Sequence, residues 1–212
     1  RAIVLGSVFK DFGIEFAEGV TGFDTESGDY GPYTQSQRAE IYQTIAKSLV
    51  EKGLAYPCFC TEEDLEKTRE YQTENKLLPG YYGEFAKCRS LTEEEIYENL
   101  KAGKPYVIRL RSQGNVEEKH TFRDQVKGDI TVTENNQDVV ILKSDGIPTY
   151  HFAHAIDDHF MRTTLVIRGE EWISSVPKHI ELFRVCGYKP PKFAHTPQVM
   201  KIDEETGDKR KL

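Results

Sequence analysis

Apolar residues in this chain recur at helical spacing in some stretches and in short strand-like runs in others, with glycine and proline at the breaks. Ile3, Val4, Val8, Phe9 and Phe12 share one helical face, and Gly13 stands where a left-handed residue would end that helix. After a loop rich in Gly and Asp, residues 38–52 form an amphipathic segment with Ile41, Ile45, Leu49 and Val50 on one stripe and Gly53 as its stop. Thr61-Glu-Glu-Asp64 and Thr92-Glu-Glu-Glu95 read as capped starts of two charged surface helices, because the hydroxyl and the acid three residues on can satisfy otherwise orphan amides. Between these helices Leu78-Pro79-Gly80-Tyr81-Tyr82-Gly83 is a turn-rich loop. Strands are predicted at 106–111, 130–133 and 139–143, so the middle third reads as α+β. A turn at Ser144-Asp145-Gly146-Ile147-Pro148 leads into a helix over Tyr150–Phe160, a short buried strand at 164–168 and a helix over 175–186 stopped by Gly187.

That closing order of helix, strand and helix suits a doubly wound sheet, in which ligands bind beyond the carboxyl ends of parallel strands. Arg168 falls at such an end. The architecture expected for 212 residues is α/β: an incomplete, Rossmann-like doubly wound nucleotide-binding domain built from residues 1–53 and 147–212, interrupted by an α+β insertion over 54–146.

Charge and composition narrow the partners. A net charge of −7 argues against indiscriminate affinity for nucleic acid, since phosphate binding needs local Lys and Arg, so any RNA site must be local. The insertion offers Lys76, Lys87, Arg89, Lys104, Arg109, Arg111, Lys119, Arg123 and Lys127, interleaved with Tyr81, Tyr82 and Phe85; on charge alone this is equally a solvated surface. No apolar run approaches the roughly 20 residues needed to span a bilayer. Four cysteines are too few for a disulfide framework in a chain of this length and suit a reducing cytoplasm.

Candidate chemistry gathers in the last third. Tyr150 and His154, four residues apart, lie on one helical face, and Arg168 follows on the next strand. A guanidinium can grip a carboxylate through two parallel hydrogen bonds, which makes Arg168 a suitable amino-acid anchor. On residue types alone the plainer account is a core aromatic and a strand-end arginine paired with Glu170 or Glu171. The adjacent acids Asp157 and Asp158 point in different directions from a helix and are assigned no catalytic role. Cys58-Phe-Cys60 and Cys88 supply three thiols with metal-ligand character, while Cys186 on a separate helix reads as a small core residue.

Taken together, Tyr30-Gly31-Pro32-Tyr33-Thr34-Gln35-Ser36-Gln37-Arg38, Val166-Ile167-Arg168-Gly169-Glu170-Glu171-Trp172 and the terminal Gly-Asp-Lys-Arg-Lys211-Leu212 make the chain resemble an internal part of a bacterial glutamyl-tRNA synthetase, a class I aminoacyl-tRNA synthetase. The resemblance implies that Tyr150, His154 and Arg168 bind glutamate, with His154 standing where the family more often has Asn. Glu171 and Trp172 would lie on the ATP side, and Lys211 would open the Lys-Leu-Ser-Lys-Arg loop. The implied reaction activates L-glutamate with ATP and Mg²⁺ and transfers it to the 3′ end of tRNA, whose acceptor stem the insertion would bind. Cys58, Cys60 and Cys88 resemble three ligands of the family's Cys-x-Cys…Cys-x-His zinc site. Ser90 replaces the histidine, so a zinc-free remnant is expected, with Tyr81, Tyr82, Glu84 or His120 as stand-ins.

In residues 30–38, Gly31-Pro32 forces a turn and Ser36 is placed to cap the following helix, while Gln35, Ser36 and Arg38 either staple the loop or touch substrate. The chain holds no His-Ile-Gly-His segment, and Ser-Lys-Arg would begin just after Leu212. No catalytic set is complete here. The stretch is therefore expected to fold and to bind acceptor RNA without forming glutamyl-adenylate, and to leave a sheet edge open to pairing with another chain. Other readings are a glutaminyl enzyme, a paralogue that glutamylates a modified tRNA base, or a non-catalytic tRNA-binding module.

Overall fold

The amphipathic stripe at 38–52 folds as helix α1 (Ala39–Glu51), whose inner face of Tyr42, Ala46 and Leu49 is almost fully buried. In this computed structural model, which describes residues 8–22, 25–198, 200–202 and 209–211, that face is one wall of the main core. The other walls are Leu110 and Ile141 from strands, Phe152 and Ile156 from helix α4 (Tyr150–Phe160), and Leu182 and Phe183 from helix α5 (Val176–Cys186). Helices α2 (Glu62–Glu74) and α3 (Glu93–Lys101) both open with the reciprocal threonine-acid caps read from the sequence. Gly187 ends α5 in the left-handed conformation at φ 74°, where a side chain would be strained. Of the predicted first helix, residues 8–11 are helical, Phe12 lies in the turn that follows and Gly13 is left-handed; the part before residue 8 lies outside the described residues.

Strands fall into two sheets and two short ribbons. The ribbons are β1 (Gly19–Val20) with β2 (Glu26–Ser27), and β10 (Met200–Ile202) with β11 (Lys209–Lys211), which contains Lys211. A three-stranded antiparallel sheet runs β3 (Ala55–Cys58), β4 (Val107–Leu110), β7 (Val140–Leu142). A four-stranded sheet runs β6 (Gly128–Thr133), β5 (Lys119–Asp124), β9 (Lys192–Thr196), β8 (Leu165–Gly169). In it β8 and β9 are parallel, and β5 meets β9 in parallel through the single pair Asp124↔Phe193. Two strands of this sheet come from residues 54–146 and two from 147–212, and the main core likewise draws on both stretches.

The sequence reading missed β3, β5, β9 and the four short ribbon strands. Pro57 removes a ladder donor from β3, which is tolerated because β3 is a sheet edge, and β5 is almost wholly polar, so neither shows the apolar alternation of a half-buried strand. Two further expectations are corrected. The strand at 164–168 was expected to be buried, yet Ile167 is 68% exposed: β8 is an edge strand with one face uncovered among the described residues. Ser36 caps nothing; it sits within a single 3₁₀ turn (Gln35–Arg38) that runs straight into α1 without a side-chain cap. Arg38 holds the preceding loop instead. Its guanidinium is buried, donates to the Tyr30 and Pro32 carbonyls, and pairs with Asp157 of α4 at 2.8 Å.

Buried Glu181 fastens residues 112–135 to α5. Its carboxylate accepts from the Ser112 hydroxyl at 2.8 Å, the Gln113 amide at 2.7 Å and the Asn135 side-chain amide at 2.6 Å. Removing such an acceptor strands several buried donors, each at the cost of its desolvation. Glu181→Ala is expected to lower stability by about 3 kcal/mol, and Glu181→Gln by about 1 kcal/mol, in urea unfolding. A loss for Glu181→Ala no larger than that for Glu181→Gln would show that water replaces the carboxylate.

Candidate functional site

The parallel register of β8 and β9 sets Arg168 opposite His195. From there the guanidinium Nε donates to His195 Nε2 at 3.0 Å, and Nη1 lies 3.2 Å from His179 Nδ1. His195 is completely buried, with Nδ1 2.6 Å from Asp124 Oδ2. Burial alone would push the Asp124 carboxyl up. Hydrogen bonds from the Lys127 amide, the His195 ring, and the Val126 and His195 amides outweigh it and hold the group down at about 2, so it is ionised. His179, also fully buried, is pushed down to about 2 chiefly by burial and is neutral.

These contacts determine the tautomers. An acceptor at His195 Nε2 puts its proton on Nδ1, toward Asp124. An acceptor at His179 Nδ1 puts its proton on Nε2, 2.9 Å from His151 Nδ1. The line Asp124–His195–Arg168–His179–His151 thus has one consistent arrangement of hydrogens.

Aromatic residues pack around the same guanidinium. Helix α4 carries Tyr150 and His154 one turn apart with near-parallel rings, as their spacing predicted. The Tyr150 ring centroid is 4.6 Å from that of Trp172, and Arg168 Cζ lies 5.8 Å from the Trp172 ring and 5.2 Å from the Phe193 ring. Burial pushes the Arg168 guanidinium down, and the neighbouring Tyr150 opposes that shift. Tyr150, His154, Arg168 and Trp172 therefore meet in one cluster. Two of its buried nitrogens, Arg168 Nη2 and His154 Nε2, have no hydrogen-bond partner, the condition in which a native polar group most needs explanation.

The plainer account of Arg168 does not hold, because its hydrogen bonds go to imidazoles while Glu170 pairs with Lys127. The exposed Glu171 accepts from Gln198 at 3.0 Å. Asp157 and Asp158 do point in different directions: Asp157 takes Arg38 and the Tyr42 hydroxyl, and Asp158 Oδ2 lies 2.9 Å from His154 Nδ1. His179, His195 and Asp124 escaped the sequence reading, since Asp124 and His195 are 71 positions apart and no local pattern joins them.

A second cluster sits in residues 54–146. The Sγ atoms of Cys58, Cys60 and Cys88 lie within 4.8 Å of one another, with Cys60 and Cys88 3.5 Å apart. Of the four suggested stand-ins, Tyr81 is the one that joins them: its hydroxyl is 3.4 Å from Cys58 and 3.2 Å from Cys60. Tyr82 instead donates to the Leu78 carbonyl. Hydrogen bonds from Cys60 and Cys88 hold the Cys58 thiol down, and the same interaction pushes Cys60 up. The Phe59 amide donates to Cys88 Sγ at 3.4 Å. Cys58 in β3, half-buried Cys60 and Cys88 bring together three sulfurs, a thiol set that fits Zn²⁺, and the Tyr81 hydroxyl beside them accepts from the Cys88 amide at 3.0 Å.

The basic residues considered for RNA divide in two. Arg89 pairs with buried Asp138 at 2.7 Å, Arg109 is buried over the Tyr81 ring, Arg111 stacks on Tyr56, and Arg123 pairs with Asp129. Arg89, Arg109 and Arg111 hold the fold, whereas the Arg123–Asp129 pair lies exposed on the surface. Lys76, Lys87, Lys104 and Lys119 are exposed. No helix among the described residues is long and apolar enough to cross a membrane.

Residues 14–212 match the family model described as tRNA synthetases class I (E and Q), catalytic domain. The chain is 59% identical over 206 residues to a glutamate-tRNA ligase of Clostridium beijerinckii and 52% identical over 206 residues to one of Acetivibrio thermocellus, covering 97% of this chain in each case. It spans 37% of the length of each of these relatives. Among solved structures, a glutamate tRNA ligase from Elizabethkingia meningosepticum in complex with its amino acid superposes with a TM-score of 0.79 at 30% identity, covering 97% of this chain and 45% of that one. The glutamate-tRNA synthetase of Elizabethkingia anophelis gives 0.76 at 36% identity, covering 88% and 37%. With a parallel strand pair ending in a half-buried arginine, and a family match along nearly its whole length, the chain belongs to the class I tRNA synthetases of the E and Q type, within their catalytic domain.

Proposed function

We propose that this chain carries the amino-acid side of a glutamate-tRNA ligase, which activates L-glutamate with ATP and transfers it to tRNA. The observation that carries the reading is the buried, unpartnered Arg168 Nη2 beside Tyr150 and Trp172. A ligand carboxylate would complete that guanidinium, and the Tyr150 hydroxyl and the open His154 Nε2 would orient the rest of the amino acid. Adenylation is attack of a carboxylate on the α-phosphate, so the task of these residues is to hold the nucleophile in line and keep water away from it. Glu171 and Trp172 are proposed to face the nucleotide. Mg²⁺ neutralises phosphate charge in such reactions. Exposed Lys76, Lys87, Lys104 and Lys119 are candidates for acceptor-stem phosphate contacts, which position an RNA end without reading its sequence. Four free thiols suit a cytoplasmic setting.

The sulfur cluster is proposed as a structural zinc site in which Cys58, Cys60, Cys88 and the Tyr81 oxygen would hold the ion. A closed set of four protein donors favours folding of the loop and leaves no open position for catalysis.

L-glutamate titrated into the chain by calorimetry is expected to bind, with Arg168→Lys at least tenfold weaker, because an ammonium cannot hold both imidazoles and at the same time present a fixed donor where Nη2 lies. Glutamate affinity unchanged by that substitution would remove the anchor and this reading with it. For the metal, the purified chain is expected to hold one zinc per molecule by elemental analysis, with Cys88→Ala reducing occupancy severely and Tyr81→Phe less so. Zinc content well below one in the unsubstituted chain, after refolding with excess metal, would contradict the site.

A further inference from the structure

Arg168 can serve as a carboxylate anchor only if its guanidinium is held at one rotation, and two of its neighbours bear on that rotation. Nε is taken by His195, Nη1 by His179, and Nη2 is left over. We propose that Asp124 and His195 are positioning residues for amino-acid binding: Asp124 keeps the His195 proton on Nδ1, so that Nε2 accepts from Arg168 and the guanidinium presents Nη2 to the ligand carboxylate. This rests on the reading of Arg168 as the anchor and adds to it two residues that do not touch the ligand.

The geometry fits that role closely. Asp124 Oδ1 is saturated by the Val126 and Lys127 amides at 3.0 and 2.9 Å, which fixes the carboxylate and aims Oδ2 at the His195 ring. Both side chains are buried. Asp124 is also the residue through which β5 pairs with β9, so the hairpin of β5 and β6 reaches the anchor at this point. A carboxylate that fixes an imidazole's tautomer and orientation without touching substrate is a known catalytic device.

The role separates from simple stability through the chemistry of asparagine. In Asp124→Asn, the side-chain oxygen stays with the backbone donors and the amide nitrogen faces His195 Nδ1. That nitrogen donates, so the His195 proton must move to Nε2, where it confronts the Nε–H of Arg168. Two donors then face each other and the guanidinium turns away.

His195→Asn likewise leaves Arg168 Nε without an acceptor. His195→Gln can place an oxygen where Nε2 was. The test combines glutamate calorimetry with ¹⁵N spectra of the histidine rings and the Arg168 Nε group of the chain. Expected are a protonated Nδ1 at His195 in the unsubstituted chain, a shift of that proton to Nε2 with a displaced Arg168 Nε signal in Asp124→Asn, and at least tenfold weaker glutamate binding in Asp124→Asn and His195→Asn. His195→Gln is expected to stay within about threefold of the unsubstituted chain.

Glutamate binding unchanged in Asp124→Asn, or a His195 ring that keeps its Nδ1 proton there, overturns the proposal, as does an equal loss in His195→Asn and His195→Gln. If the unsubstituted chain binds no glutamate, the proposed function fails on its own account. The ring spectra of the ligand-free chains then decide the relay.

Discussion

A guanidinium removed from water must be compensated by what surrounds it, and the way this chain treats its arginines organises the molecule. Arg38 and Arg89 each meet a carboxylate directly, Asp157 and Asp138 respectively, and each ties a loop to a helix or strand. Arg168 hydrogen-bonds two imidazoles instead, one of them backed by an ionised aspartate one step further away. The compensation is thus indirect, and one nitrogen of the fork stays open.

Buried carboxylates do the corresponding work of joining distant parts of the chain. Glu181 gathers donors 46 to 69 positions away, and Asp157 links helix α4 to residues 115 and 119 positions earlier. Asp138 accepts from Tyr56, Arg89 and the Ser112 amide, and so knits together residues 54–146. Because each acceptor is met by several donors, loss of one carboxylate exposes more than one unsatisfied group, and the elements are held in register as well as in contact. The sulfur cluster sits beside this network: the Tyr81 hydroxyl that approaches the cysteines belongs to the ring on which Arg109 stacks, and Arg109 donates to the Asp138 carbonyl.

Much was legible in the sequence because it is written locally. The stripe of α1, the threonine-acid caps of α2 and α3, the glycine stop after Cys186 and the i to i+4 pairing of Tyr150 with His154 depend only on neighbours within a turn or two, and all appear in the structure. The motif around Arg168 likewise placed that residue at a strand end. Where local evidence was indirect, the reading failed: polar β5 gave no alternation, Pro57 disguised an edge strand, and Ser36 looked like a cap but lies inside a turn.

What only the tertiary structure decided is which distant groups share a desolvated space. Nothing in the neighbourhood of Asp124 announces His195, nothing near His179 announces Arg168, and the choice of Tyr81 over three other candidates beside the cysteines follows from loop packing. Side-chain type fixes which hydrogen bonds a residue can make, and this the sequence states in full. Burial decides which of them it must make, and that depends on strands that come together only when the chain has closed on itself.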